Sequence, residues 1–258
     1  MTNNLSKFKS VTVFVLTYNE TILLRKTVSE IKKCDCFSDI HKIIIVAKND
    51  ICDGFSEAVK LVDEDCTGKV SVYLQKSPTL EQCFFELPLM VDSSHFVIMA
   101  ADMEMIPSNI SDFIRRAKEK PAAIICAAKW LRSSTVEGYG WFHEFGSRVM
   151  NVFVSILFNK NVKDPFSLYQ IYPLEIYKKL KFDKPSLVIY EYTLKALHNG
   201  VEYEEIPTVY RKRTEGRSLV GSGKMLKTAL LFCFTAIRVR LSHRLSDDES
   251  KNTDRVIK

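Results

Sequence analysis

Residues 96–107 read Phe-Val-Ile-Met-Ala-Ala-Asp-Met-Glu-Met-Ile-Pro and are the most informative part of the chain. A short apolar run that ends abruptly in two acids is typical of a buried strand opening into a loop. Strand alternation predicts that Asp102 and Glu104 lie on the same side of the backbone, where one cation can bridge them. Open α/β sheets bind ligands at the carboxyl ends of their strands. The stretch therefore indicates either a metal site or a solvated acidic loop.

The rest of the first half alternates short apolar runs with helical patterns. The predicted strands are residues 11–16, 43–46, 70–74, 95–100 and 122–128. This alternation predicts an α/β fold, with a mostly parallel central sheet flanked by helices.

The second half is less regular and gives the predicted domain limits. Helices are predicted at 142–158 and 188–198, and a strand at 201–210 is interrupted by Pro207. We expect one domain over 1–220, a basic apolar C-terminal helix within 221–245 and a disordered charged tail at 246–258.

Composition narrows the class of protein. The chain has 258 residues, is 46% hydrophobic and carries a formal net charge of +6, which favours anionic partners without indicating nucleic acid. Residues 229–237 are the longest apolar stretch near the C-terminus, far short of the ~20 that span a bilayer. The N-terminal residues lack an apolar signal core, and seven scattered cysteines suggest reduced thiols. We expect a cytoplasmic protein with at most peripheral contact at the inner face of a membrane.

Four stretches in order carry a family resemblance. They are residues 11–20 (Val-Thr-Val-Phe-Val-Leu-Thr-Tyr-Asn-Glu), 99–107, 163–173 (Lys-Asp-Pro leading to Tyr-Pro) and 206–218 (Ile-Pro through Arg-Thr-Glu-Gly-Arg-Ser). Over roughly residues 10–240 the chain resembles family 2 glycosyltransferases of the Rossmann-like GT-A fold, particularly dolichyl- or polyprenyl-phosphate sugar transferases. The resemblance implies sugar transfer from a UDP- or GDP-linked donor to a lipid-phosphate or glycan acceptor, with inversion and with Mg²⁺ or Mn²⁺. Bacterial surface-polysaccharide synthesis is the setting that it suggests.

The same resemblance assigns the donor site. Thr17, Tyr18 and Glu20 match a loop that contacts the donor nucleotide, where Tyr can stack on the base and Glu can hold a hydroxyl. Taken without the resemblance, this stretch also fits an ordinary strand-to-helix turn. Asp102 and Glu104 match the family's metal-binding acids, and Asp102 is expected to be catalytic through that metal.

Because of two departures from the family pattern, the sequence does not identify the donor nucleotide. Ala100 stands where the first acid of the metal motif is usual, and Ala47-Lys48-Asn49-Asp50 replaces an Asp-Asp-Gly-Ser run. These departures support the alternative function, a catalytically silent GT-A-like scaffold that binds nucleotide or glycan.

Basic residues in matching positions fit an anionic substrate. The resemblance implies that Lys129, Arg148 and Arg213, with Ser218, bind the acceptor phosphate or the donor diphosphate by charge-assisted hydrogen bonds. Arg213 is expected to be catalytic by adding positive charge beside the leaving group. Arg148 and Asn151 lie one helical turn apart, so we expect them to face the same way.

Two acidic residues and two helices can each be interpreted in two ways. Glu191 is either a catalytic general base for a sugar hydroxyl or a residue that orders the basic groups. Asp164 either contributes to substrate binding, as the resemblance implies, or shapes a turn before Pro165. The apolar helices at 142–158 and 225–240, edged with Arg and Lys, either lie at a membrane surface or cover the sheet.

Overall fold

The computed structural model describes residues 7–77, 80–180, 188–212 and 225–243. The strands are β1 (Val11–Thr17), β2 (Ile40–Ala47), β3 (Val70–Leu74), β4 (His95–Ala100), β5 (Ile124–Ala128), β6 (Thr135–Glu137), β7 (Gln170–Pro173), β8 (Tyr203–Pro207) and β9 (Val209–Arg211). The helices are α1 (Ile22–Lys32), α2 (Asp53–Asp63), α3 (Leu80–Glu86), α4 (Asn109–Glu119), α5 (Trp141–Phe158), α6 (Leu174–Lys179), α7 (Val188–His198) and α8 (Met225–Leu241). Short 3₁₀ segments lie at Phe37–Asp39 and Leu87–Met90.

Seven strands form one central sheet in the order β3-β2-β1-β4-β7-β5-β8. Strand β7 runs antiparallel to both of its neighbours, and the other adjacent pairs are parallel. The predicted α/β fold with a mostly parallel sheet is therefore confirmed. All seven residues of β1 are buried, as expected for a strand covered on both faces.

Helices cover both faces of this sheet, and the strand period of two divides its side chains between them. Val13 and Val15 of β1 pack in the core layer that also holds Leu24 of α1 and Phe113 of α4. Phe14, on the opposite face of the same strand, packs in a second layer with residues of β4, β7 and α7. These strands could be predicted because each run is apolar on both faces.

The C-terminal helix α8 packs on α5 and α7 around a third apolar cluster, which includes Val154, Leu194 and Ala236. It lies within the predicted 221–245 segment, whereas the predicted tail at 246–258 lies outside the described residues. Within the described residues, no helix is both long and apolar enough to cross a bilayer.

Candidate functional site

The carboxyl ends of β1, β4, β5 and β8 meet at one edge of the sheet, because these strands run in the same direction. Since β7 is antiparallel to them, the loop that precedes it reaches the same edge. The N–H of Ala101 donates to the carbonyl of Leu16 at 2.9 Å, so the loops after β1 and β4 start side by side. Most residues predicted for the site follow these strand ends.

The loop after β1 is closed by its own carboxylate. Glu20 Oε2 accepts the N–H of Tyr18 at 2.7 Å and lies 3.3 Å from the hydroxyl of Thr17, which is buried. Glu20 therefore shapes the loop from within, in addition to the hydroxyl-binding role that the resemblance implies.

Helix α2 begins in direct contact with this loop. The N–H of Gly54 donates to the carbonyl of Tyr18 at 3.0 Å. A Cβ at Gly54 would lie 2.4 Å from Thr17 Oγ1 and 2.6 Å from that carbonyl, so only glycine fits the approach. Lys48 Nζ stands 4.7 Å from the centre of the Tyr18 ring, where it makes a cation–π contact. A cation from the divergent segment after β2 thus covers one face of the predicted base-stacking ring.

The acidic loop is a turn and not a continuation of strand β4. The strand ends at Ala100, and Met103 has a φ of 56°, in the left-handed region. The prediction that strand alternation aligns Asp102 and Glu104 was therefore wrong in its premise. Instead, Asp102 Oδ1 accepts the N–H of Glu104 at 3.1 Å, and this bond fixes the turn. Asp102 is buried, whereas Glu104 is half-buried.

Two contacts brace the acidic loop against β9. The carbonyl of Glu104 accepts the N–H of Arg211 at 2.8 Å, and Met105 pairs antiparallel with Tyr210. Downstream, Asn109 Nδ2 donates to the carbonyl of Pro207 at 3.0 Å. Backbone bonds therefore hold the two acids in place from both ends.

The residues of this loop fit a hard divalent cation. Asp102 and Glu104 offer carboxylate oxygens, the donors that Mg²⁺ and Mn²⁺ prefer. Among the described residues, no group of three or more His, Cys, Asp or Glu side chains could hold a metal ion. A cation bound here would take its remaining ligands from water or from a bound diphosphate, which suits Mg²⁺ because it keeps few protein ligands.

Lys129 and Asp164 form a buried ion pair at the end of β5. Lys129 Nζ lies 2.8 Å from Asp164 Oδ2, which also accepts the backbone N–H of Lys129 at 2.9 Å. Burial alone would lower the pKa of the Lys129 ammonium, but the Asp164 carboxylate keeps that pKa above its usual value. The two predicted binding residues therefore neutralise each other in this structure.

Glu205 of β8 holds the loop before β7, which contains Asp164. Its carboxylate accepts the backbone N–H groups of Lys163 and Asp164 at 2.7–2.9 Å. Burial, with some repulsion from Asp164, raises the pKa of Glu205 to about 7 despite these bonds. This residue was not predicted from the sequence, although it lies immediately before the Ile206-Pro207 motif.

A cavity of about 340 Å³ opens beside the ion pair. It is lined by Lys129, Trp130, Leu131, Arg132, Ser134, Val136, Glu144 and Arg148. The guanidinium of Arg148 stacks 4.8 Å above the Trp130 ring and is held by Glu144 at 2.9 Å. The indole Nε1 of Trp130 is buried and has no hydrogen-bond partner among the described residues.

Aromatic side chains connect this cavity to the acidic loop. The ring of Trp130 lies 5.2 Å from that of Tyr139, which lies 5.1 Å from the ring of Tyr210. Tyr210 is the residue that pairs with Met105. The cavity and the acidic loop are thus joined through consecutive contacts.

The remaining predicted residues have different outcomes. Arg148 is exposed, whereas Asn151 is buried and bonds the carbonyl of Lys163, so the expectation that they face the same way was wrong. Three residues along a helix leave a rotation of about 60°, which here crosses the boundary between surface and core. Arg213 and Ser218 lie outside the described residues.

Glu191 belongs to α7, contacts α8 and is 1% exposed. Lys195 Nζ and Arg238 Nη2 each stand 3.0 Å from its Oε1. A carboxylate held in this way by two cations favours the ordering role over the general-base role.

Three further residues around the site were not predicted from the sequence. Trp130 and Arg132 closely follow Lys129, and their signal is an aromatic and a basic side chain just beyond a strand end. Lys48 was noted only as a departure from the family pattern, because its contact with Tyr18 joins two separate strand ends.

Solved glycosyltransferase structures share this fold, although no family model matches the chain. Glucosyl-3-phosphoglycerate synthase from Mycobacterium tuberculosis, in complex with Mn²⁺, UDP and phosphoglyceric acid, superposes with a TM-score of 0.66 at 11% identity. The match covers 91% of this chain and 80% of that one. The same synthase with Mg²⁺ and UDP gives 0.65 at 12% identity, covering 88% and 79%.

A mannosyltransferase from Pyrobaculum calidifontis, in complex with GDP-Man and Mn²⁺, gives a TM-score of 0.61 at 16% identity. That match covers 93% of this chain and 66% of the mannosyltransferase. At such low sequence identities, the similarity to these proteins shows a shared fold and nothing more. Together with the strand order and the mostly parallel sheet, these superpositions show that the chain has the GT-A fold of these glycosyltransferases.

Proposed function

We propose that the protein is a glycosyltransferase that moves a sugar from a nucleotide diphosphate sugar to an anionic or glycan acceptor. The observation that carries this proposal is the braced Asp102–Glu104 loop beside the Thr17–Glu20 loop, at the ligand-binding edge of a GT-A fold. The superposed proteins support a UDP- or GDP-linked donor and a divalent cation, because they were solved with such ligands.

The donor would lie across the loops after β1 and β4. Tyr18 would stack on the base, which requires either the ring face that Lys48 leaves open or displacement of that lysine. Asp102 and Glu104 would hold Mg²⁺ or Mn²⁺ together with the diphosphate. When bound, the cation supplies positive charge against the departing diphosphate. Lys48, which replaces a family acid, would add a positive charge near the base.

The acceptor would enter the cavity beside Lys129. Arg132 and Arg148 present guanidinium groups there, and a phosphate or carboxylate matches their forked donors. The buried Nε1 of Trp130 would gain the acceptor atom that it lacks among the described residues. A buried N–H without a partner is costly, so a ligand oxygen at this position would be stabilising.

The reaction would be an in-line displacement with inversion at the anomeric carbon. An acceptor oxygen forms the new bond to that carbon, while the bond to the diphosphate breaks and its electron pair leaves with the diphosphate. A phosphate acceptor is already an anion and needs no general base. This agrees with Glu191, which lies in an ion-paired helix interface.

A lipid-phosphate acceptor is the form of anionic acceptor that we favour. The family resemblance and the basic cavity both support it, and they suggest a cytoplasmic enzyme at the inner face of a membrane. Surface-polysaccharide synthesis would be a matching setting. Arg213 and Ser218 remain predicted members of this site.

The first experiment measures nucleotide release from a panel of UDP-, GDP- and dTDP-sugars with Mg²⁺ or Mn²⁺, with and without a polyprenyl phosphate. We expect release from one donor, loss of release with a chelator, and a loss of at least about 100-fold in Asp102→Ala. The matched control is Asp112→Ala, which removes an exposed carboxylate of α4 and should keep wild-type turnover.

Three outcomes separate the functions. Metal-dependent release that requires Asp102 supports the transferase. Release that is equal in Asp102→Ala and wild type contradicts the assigned site. Nucleotide or glycan binding without release, from any donor and with every acceptor tested, would favour the catalytically silent scaffold.

A further inference from the structure

Helices α5 and α8 carry a large apolar surface that faces away from the core. We define the α5–α8 face as nine side chains that are each 43–80% exposed. They are Phe142, Phe145, Val149, Val152 and Ile156 on α5, and Leu230, Phe234, Ile237 and Leu241 on α8. Their spacing of three or four residues places them in one stripe on each helix.

The two stripes lie on helices that pack against each other. On α5 the stripe lies opposite Val154 and Phe158, and on α8 it lies opposite Ala236 and Val239, which are all buried in the same cluster. The helices are in direct contact, because Arg240 Nε donates to the carbonyl of Leu157 at 2.9 Å. Monomeric soluble proteins rarely expose a contiguous apolar patch of this kind without a partner.

The charged residues of α5 and α8 indicate an anionic partner for this face. Helix α8 contains no Asp or Glu in its sequence, and of its cations Arg238 is paired with Glu191 of α7, whereas Lys227 and Arg240 have no acidic residue on the same helix. The acid of α5, Glu144, is engaged by Arg148 at 2.9 Å. An apolar stripe with a basic rim suits an anionic lipid surface, where the apolar face enters the acyl boundary and the cations meet headgroups.

A second copy of the chain fits this surface less well. In a two-fold interface the same patch meets itself, so Arg240 of one copy would approach the α8 helix of the other. That helix offers cations and no carboxylate, and like charges across an interface are unfavourable.

We propose that the α5–α8 face docks the protein on an anionic bilayer. The docking does not depend on the proposed transferase activity. It does place the basic cavity near the lipid surface, because the first half of α5 contributes Phe142, Phe145 and Val149 to the face and Glu144 and Arg148 to the cavity. A headgroup phosphate would then lie within reach of the proposed acceptor site.

The chain carries its own reporter for a test. It has two tryptophans: Trp141, at the start of α5, is 79% exposed, and Trp130 is 8% exposed. We expect vesicles of phosphatidylcholine with phosphatidylglycerol to shift the emission of the full chain to the blue and to cosediment with it. Trp141→Phe should remove the shift but retain cosedimentation. Added salt should weaken the binding, because charges contribute to it.

The decisive variant is Phe145→Glu with Phe234→Glu, which places one charge on each helix at positions 64% and 63% exposed. We expect partitioning to fall by at least about tenfold. The matched control, Ile51→Glu with Leu89→Glu, adds the same charge at two exposed apolar positions outside the face and should bind like wild type. Circular dichroism and thermal melting establish that both variants fold.

Failure of wild type to bind these vesicles would overturn the proposal, as would equal loss in the control. A wild-type dimer in light scattering that becomes monomeric in the decisive variant would instead assign the face to self-association. Because no sugar donor is used, each of these results is independent of the proposed function.

Discussion

Gly54 touches Thr17 and Tyr18 at the start of α2, in the loop proposed to hold the nucleotide. A side-chain carbon at this position would lie 2.4 Å from the Thr17 hydroxyl and 2.6 Å from the Tyr18 carbonyl, and both distances are shorter than van der Waals contact. The hydroxyl can rotate away, but the carbonyl belongs to the backbone. The loop therefore has to move if this residue gains even one methyl group.

We expect Gly54→Ala to lower the free energy of unfolding by about 1–3 kcal/mol, as overpacking does. The same change should weaken binding of the nucleotide identified in the donor panel. Urea denaturation and calorimetric titration would measure the two effects.

Gly146→Ala is the matched control for this substitution. Apart from the neighbouring backbone of α5 itself, no atom lies within 4 Å of a side-chain carbon at that position, so alanine should stabilise the helix by up to about 1 kcal/mol. Equal stability of the two variants would contradict the steric argument.

Some residue roles could be predicted from the sequence and others could not. The acids at 102 and 104 were found because they follow an apolar run, which is a local signal. The pairing of Lys129 with Asp164 joins residues that are 35 positions apart, and no local pattern reports such a contact. The contact of Lys48 with Tyr18 was missed for the same reason.

The ion pair of Lys129 and Asp164 connects β5 to the loop before β7. Asp164→Asn would leave the Lys129 ammonium buried without its counter-charge. We expect this change to lower the free energy of unfolding by about 3–5 kcal/mol. Chemical denaturation would measure the loss.

A double variant separates the lost charge pair from the lost packing. Lys129→Met with Asp164→Leu removes both charges and should be less destabilised than Asp164→Asn alone. A double variant as unstable as the single one would mean that the ion pair itself, and not an unpaired charge, is what matters. The exposed pair of Asp112 and Arg115 offers a control, since Asp112→Asn should leave stability unchanged.

At the level of whole strands and helices, some elements could be predicted from the sequence and others could not. The parallel strands of the first half were predicted because each is a mostly apolar run, and β1, β4 and β5 are buried along almost their whole length. Strand β7 is only four residues long, and α3 and α6 have seven and six residues, so each covers only about two periods of its pattern, too few to be recognised in the sequence. The ribbon of β6 and β9 has three-residue strands that carry no readable alternation.

The stability of the folded chain should depend on the pH through Glu205. Its pKa of about 7 in the folded protein exceeds the ordinary value of 4.5, chiefly because the carboxyl is buried. The folded state therefore holds this proton more tightly than the unfolded state does. As the pH rises from 4.5 to 7, the unfolded state ionises first, and the stability contributed by this group is lost.

Glu205→Gln removes the titration and keeps an oxygen that can accept the N–H of Asp164. Relative to this variant, wild type should lose stability across that pH window and run parallel to it above pH 7. Urea denaturation of both proteins at several pH values would test the difference. Parallel curves through the whole window would show that the carboxyl ionises as readily in the folded state as in the unfolded one.

The position of the antiparallel strand β7 also determines the order in which the sheet can form during synthesis on the ribosome. Strands β1 to β4 can pair as soon as they are synthesised, but the free edge of β4 receives its neighbour only when Gln170–Pro173 has emerged. Strand β5 is made earlier than β7 yet joins the sheet through it. The nascent protein therefore passes through a stage in which the apolar strand His95–Ala100 is paired with β1 on one edge only, and at this stage intermolecular pairing at the open edge competes with folding.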